Sequence, residues 1–158
     1  ARQFLFDVWH YFLLRRLCQS SNSRVQEIAE KSLKEVTYHV RRSIDLVIRL
    51  GDGTEESHQR MQEAINDAWK HVGELFLDDD VTRTLHEQGV APLHESLWDE
   101  WYEQVGAVLS EATLIIPAQE EAFHKAHRGG TQGHHTEALG FLLAEMQVLQ
   151  RTYPGASW

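Results

Sequence analysis

The chain has 158 residues, 42% hydrophobic and 25% charged, the size and balance of one domain able to bury a core. Its formal net charge of −9 argues against a general nucleic-acid binder, which needs a basic face. No apolar run approaches the ~20 residues of a membrane span.

Helical signals dominate from the first residue. A first helix is predicted over about Ala1 to Gln19, where Phe4, Leu5, Phe6, Val8, Trp9, Tyr11, Phe12, Leu13 and Leu14 point in nearly every direction around the axis. A helix that is apolar all round belongs in the middle of a bundle. The lone cysteine, Cys18, cannot form an internal disulfide, so a reducing, cytoplasmic setting is expected. Ser20 to Ser23 read as a turn rich in N-cap residues.

The second helix is predicted from about Arg24 to Leu50, with Val25, Ala29, Leu33, Val36, Val40, Ile44 and Val47 as its apolar stripe. Gly51 suits a helix end through its tolerance of positive φ, and Thr54 caps a third helix. The stretch RLGDGTEES is therefore an αα-hairpin with antiparallel helices. The third helix carries Met61, Ile65, Ala68, Val72 and Leu75 inward, and ends at the acidic run Asp78 to Asp80, expected to be a helix end meeting solvent.

A short helix is predicted from about Val81 to Gln88, stopped by Gly89. Pro92 starts the next, which buries Leu97, Trp101, Val105, Val108 and Ala112 and is closed by Pro117. A polar loop rich in Gly and His follows. Thr136 caps a last helix carrying Leu139, Leu142, Leu143, Met146 and Leu149 inward. The expected fold class is all-α, one helical domain over residues 1–158.

Four polar residues stand out against this background. With Val36 at zero, the helical period puts His39 about 60° to one side and Glu35 about 100°. His39 is then expected to face the core and Glu35 to sit at its edge, with Tyr38 nearly opposite. Asp7 and His10 lie about 60° apart on the first helix. A bundle di-iron site takes one Glu from each of two helices and Glu-x-x-His from each of two others. Here Glu35 is followed three residues later by Tyr38, and His39 comes one position late. Asp7, His10, Glu35 and His39 thus have the pattern of a degenerate iron site, or of a buried acid–imidazole network. No metal is expected on this chain.

Other groupings point less sharply. His124, His127, His134 and His135 lack the tight spacing or cysteines usual for zinc, and read as a solvated loop. Trp98, Trp101 and Tyr102 suit a ligand platform but read more simply as core or subunit interface. Arg41, Arg42 and Arg49 are expected to pair with Asp45 and nearby acids. Ten histidines leave room for a pH-responsive bundle.

The stretches DVWHYFLL, KSLKEVTYHVRR, IRLGDGTEESHQRMQ and GHHTEALGFLLAEMQVLQRTYPGASW carry a family resemblance across essentially the whole chain. The chain resembles the C subunits of bacterial phenylacetyl-CoA 1,2-epoxidases, the phenylacetate-CoA oxygenases. The resemblance implies a ferritin-like helix bundle, here a C-terminal fragment lacking the first two bundle helices. It implies a non-catalytic structural subunit that pairs with a di-iron catalytic A subunit, supports it, and helps hold phenylacetyl-CoA at the subunit interface. It implies partner subunits that use di-iron, FAD, iron–sulfur and NADPH, and no cofactor on this chain. Carried over position by position, the CoA contact falls on Arg83, Thr84 and Leu85, whose ordinary reading is an amphipathic surface helix. Ala138 departs from the family pattern, which has His there, and the loop from Pro117 to Gly129 is longer than usual. Self-association is a further expectation. The alternative is a ferritin-like di-iron oxygenase with its own metal site.

Overall fold

A computed structural model describes residues 1–123 and 129–157, and every regular element among them is helical, as a ferritin-like bundle requires. The chain forms two compact units, Ala1–His124 and Lys125–Trp158.

In the first unit α1 (Arg2–Leu17) packs against α2 (Ser23–Gly51), α3 (Glu55–Val72) and α5 (Trp98–Glu111), while α2 also touches α3 and α5. Its central place follows from its composition. Phe4, Leu5, Val8, Phe12 and Leu14 are all buried, and they leave the axis in different directions. Burial of such side chains is worth roughly 1.5–3 kcal/mol each, so α1 organises the core. Cys18 is half-buried beside the smaller cluster of Leu14, Ala29 and Val36.

Helix ends are set by local chemistry. The Asn22 side chain accepts from the backbone N–H of Arg24 and Val25 and starts α2. Thr54 accepts from Ser57 N and starts α3. Gly51 is required for a different reason from the one its sequence context suggests. It is the last residue of α2, and a Cβ there would lie 2.5 Å from the Ala112 carbonyl oxygen. Close approach of α2 to the end of α5 selects glycine, not positive φ.

The acidic run also differs from expectation. The Asp78 carboxylate accepts from the backbone N–H of His94 (2.9 Å) and Glu95 (3.1 Å), holding the 3₁₀ turn Glu95–Leu97 that leads into α5. Asp79 forms a capping box with Thr82 at the start of α4 (Asp80–Glu87). The run is a double cap, not a solvent-facing helix end. It also explains why α5 starts at Trp98 and not at Pro92: the donors that open it are fixed at 94 and 95.

α5 ends at Glu111, well before Pro117, because Thr113 turns the chain at φ 60°. The extended segment that follows is clasped by α3. Gln62 exchanges two hydrogen bonds with the Ile115 backbone, and Trp69 Nε1 donates to Ala118 O. A short turn of helix, α6 (Gln119–Ala122), then packs so closely on Gly73 that a Cβ there would meet the Ala122 carbonyl at 2.1 Å.

Trp98 and Trp101 are buried, packed with Trp69 and Phe76 at centroid distances of 4.9–5.5 Å. Trp101 Nε1 donates to the Leu5 carbonyl of α1. These rings are core, the indole N–H groups of Trp69 and Trp101 being satisfied by backbone carbonyls, and not a ligand platform.

The second unit contains a 3₁₀ turn, Gly130–Gln132, then α7 (Ala138–Met146) and α8 (Val148–Thr152). Thr136 does not cap α7; the N-cap is Glu137, without a side-chain bond. Residues expected to face inward do not. None of the described residues of this unit is buried, and Leu142, Met146 and Leu149 are more than half exposed.

Candidate functional site

α1 and α2 bring Asp7, His10, Glu35 and His39 to neighbouring positions, but not to one point. Asp7 is 2% exposed. Its Oδ1 accepts a 2.6 Å hydrogen bond from Gln3 Nε2, one turn earlier on α1. A buried carboxylate without such a donor would be costly. His10 is half-buried, with Phe6 and Trp9 rings beside it at 5.4 and 6.4 Å. Burial pushes its pKa below the usual histidine value, Asp7 pushes the other way, and His39 adds a smaller downward push.

Glu35 and His39 are exposed, which corrects the expectation of a core imidazole. Their side chains are 77% and 46% exposed and stand 3.9 Å apart as a loose i,i+4 pair. Tyr38 points to solvent as expected. The error lies in centring the apolar arc on Val36. Buried Ala29, Val36, Ser43, Val47 and Gly51 and half-buried Leu33, Val40 and Ile44 span an arc from about −20° to about +80°. His39, at about −60°, lies outside it. That outer face also carries exposed Ile28, Leu46 and Leu50.

The residues present do not fit a di-iron centre. Among the described residues, no three His, Cys, Asp or Glu side chains come together as an ion requires. Among the described residues no hydrogen bond or ion pair joins Asp7 to His10, whose influence on each other is electrostatic, and Glu35 with His39 is a surface pair.

The second candidate is α4. Capped by Asp79 at one end, it is pinned at the other, where Ser20 Oγ donates to Val90 O (2.7 Å) and Ser21 Oγ to Gln88 O (2.9 Å). On this fixed helix Arg83 is exposed, with one guanidinium nitrogen donating to Asp78 O, and Thr84 donates to Asp80 O of its own helix. Leu85 is half-buried. The guanidinium keeps further donors for an anion; the threonine hydroxyl is already used. The chain's described clefts are lined by other residues. One of about 500 Å³ runs along α2 beside Arg24, Ile28, Lys31 and Glu35.

Of the remaining groups, Arg49 pairs with Asp45 at 2.9 Å as expected. His134 and His135 are exposed, while His124 and His127 lie outside the described residues. Periodicity alone could not have found the Asp78 clamp, because its partners lie 16 and 17 residues away.

Comparison with known proteins supplies the context for these positions. All of residues 1–158 match the family model described as phenylacetic acid catabolic protein. The chain is also similar to the C subunit of the 1,2-phenylacetyl-CoA epoxidase of Escherichia coli (strain K12), at 44% identity over 158 residues. That match covers 100% of this chain and 62% of the relative, so the chain spans less than two thirds of the relative's length. The chain belongs to the phenylacetic acid catabolic protein family.

Proposed function

We propose that this member of the phenylacetic acid catabolic protein family is a non-catalytic structural subunit of a multicomponent phenylacetyl-CoA ring 1,2-epoxidase. It pairs with a di-iron catalytic subunit, stabilises it and helps hold the CoA thioester during aerobic phenylacetate breakdown in the cytoplasm. Electrons for the reaction come through partner subunits that use FAD, iron–sulfur and NADPH, and this chain holds no cofactor of its own. The similarity to the C subunit of an epoxidase supports the pathway. The observation that carries the non-catalytic part is the divergence of Asp7 and His10 from Glu35 and His39. One carboxylate is sealed in the core against Gln3, and the other faces solvent.

In this reading Arg83 meets a phosphate of CoA from the rigid α4, and Leu85 covers an apolar part of the arm. Thr84 contributes only if its hydroxyl leaves Asp80 O.

The test is co-expression with the di-iron subunit of the same pathway. The expected result is a stable complex that epoxidises phenylacetyl-CoA, with iron only on the catalytic chain. Replacing Arg83 with Ala should weaken binding of the thioester without dissolving the complex. Failure to form any complex would overturn the proposal. About two irons on this chain would favour the alternative, an oxygenase with its own metal.

A further inference from the structure

α4 buries none of its residues; Thr82 and Leu85 are half-buried and the rest are exposed. Apolar burial, which holds α1, α2, α3 and α5 together, therefore does little to hold α4. Its capping box, Asp79 with Thr82, is internal to the segment. The far end is tied instead by the turn between α1 and α2. Three consecutive carbonyls there accept hydrogen bonds from two serines: Gln88 O from Ser21 Oγ (2.9 Å), Gly89 O from Ser21 N (2.9 Å) and Val90 O from Ser20 Oγ (2.7 Å). Carbonyls at and beyond a helix end have no partner inside the helix, so each of these needs one from elsewhere. Ser20 is only 9% exposed, which shields its bond from competing water. Its Oγ also accepts from the N–H of Asn22, the residue that caps α2. One turn thus starts α2 and holds α4.

Arg83 lies about 7 Å from Gln88 along the helix axis. Its guanidinium donates to Asp78 O (3.1 Å), at the start of the same segment, so the charge travels with α4. A shift of α4 against α2 therefore shifts that charge by a comparable distance. We propose that Ser20 and Ser21 are positioning residues for the thioester: they hold α4 where the Arg83 guanidinium meets a CoA phosphate. A helix with so little core of its own, once released from the turn, samples several positions, and binding then has to select one of them. The serines touch no ligand and act through α4. This rests on the proposed function and adds to it the residues that set the affinity of that contact.

The test uses the full-length chain assembled with the catalytic subunit, and phenylacetyl-CoA as substrate. Ser21→Ala is the primary variant, because Ser21 is exposed and its hydroxyl donates to Gln88 O, whereas that of Ser20 also serves Asn22 N. KM should rise about three- to tenfold with kcat within about twofold, and the complex should keep its mass. Ser21→Thr, which keeps the hydroxyl, should restore KM. In an Arg83→Ala background Ser21→Ala should add nothing, since the charge it positions is gone. Amide exchange over residues 80–90 of the free chain should quicken in Ser21→Ala. Unchanged exchange there would show that the serine does not hold α4 and overturn the proposal. An unchanged KM in Ser21→Ala, with Arg83→Ala raising KM, would overturn the positioning role and leave the proposed function standing. A Ser21→Ala effect that persists in full beside Arg83→Ala would place its action elsewhere, and loss of the complex would make it an assembly residue; either overturns the proposal. If Arg83→Ala itself leaves KM unmoved, the thioester contact of the proposed function fails, and this inference with it.

Discussion

Thr113 ends α5 with the same pair of hydrogen bonds with which Gly89 ends α4. Gly89 N donates to His86 O and Val90 N to Leu85 O; Thr113 N donates to Ser110 O and Leu114 N to Leu109 O. Both residues have positive φ, 69° and 60°. This is the Schellman arrangement, which favours glycine at the turning position. A β-branched residue there carries strain.

Thr113→Gly should therefore stabilise the protein by about 0.5–1 kcal/mol. Relief of ~1–2 kcal/mol of left-handed strain is partly offset by glycine's greater chain entropy and by loss of a long contact to Gly51 O. Urea unfolding of the two proteins measures it; a less stable variant would show that Thr113 is not strained.

Gly51→Ala tests packing against propensity. Alanine is better than glycine inside a helix by about 1 kcal/mol. Yet its Cβ would meet Ala112 O at 2.5 Å and Ala112 Cβ at 2.8 Å. Overpacking of this kind costs about 1–3 kcal/mol, so the net change should be destabilising. A gain in thermal stability would mean that the α2–α5 contact gives way freely.

The Asp78 clamp should be specific to an acceptor with two oxygens. Asp78→Ala leaves the N–H groups of His94 and Glu95 without their partner and should cost about 1–2 kcal/mol, with Asp78→Asn in between. Equal stability of all three proteins in denaturant would rule the clamp out.

Asp79 gives a pH signature. Hydrogen bonds to its carboxylate, first from the Thr82 backbone, hold its pKa below the ordinary 3.8. A carboxylate depressed in the fold adds stability above its unfolded pKa and loses it as pH falls through the folded value. The melting temperature of the parent protein should thus drop more steeply below about pH 4 than that of Asp79→Asn. Parallel acid limbs would contradict the capping box.

His10 should titrate below the usual 6.5, since burial dominates its shift. Its neutral form favours folding, so its contribution is complete above pH 6.5 and declines as pH falls through the depressed value. Replacing Asp7 with Asn removes the charge that opposes burial and should lower the His10 value further. His39→Gln should raise it slightly. NMR titration of the ring resolves all three; an unmoved His10 in Asp7→Asn would mean that the two groups are not coupled.

Much of the helical order was legible because it is local. Asn22, Thr54 and Gly89 announce their helix ends through chemistry within a few residues, and the apolar surround of α1 announces its central place. The outward Tyr38 followed from the helical period alone. The placement of His39 did not, because the period fixes angles between residues but not where the neighbouring helix lies. The inward face expected for the last helix failed for a related reason: periodicity marks apolar positions and does not say what covers them.

By itself the amino-acid order determined that the chain is helical, where most of its helices begin and end, and which family it resembles. Those properties depend on bonds and spacings within one or two turns. Only the folded chain decided that Asp7 is sealed while Glu35 is open, that Asp78 opens α5, and that Gly51 exists to admit a carbonyl. Each depends on which surfaces meet across long sequence separations, and such meetings are set by packing of the whole core, not by any local pattern.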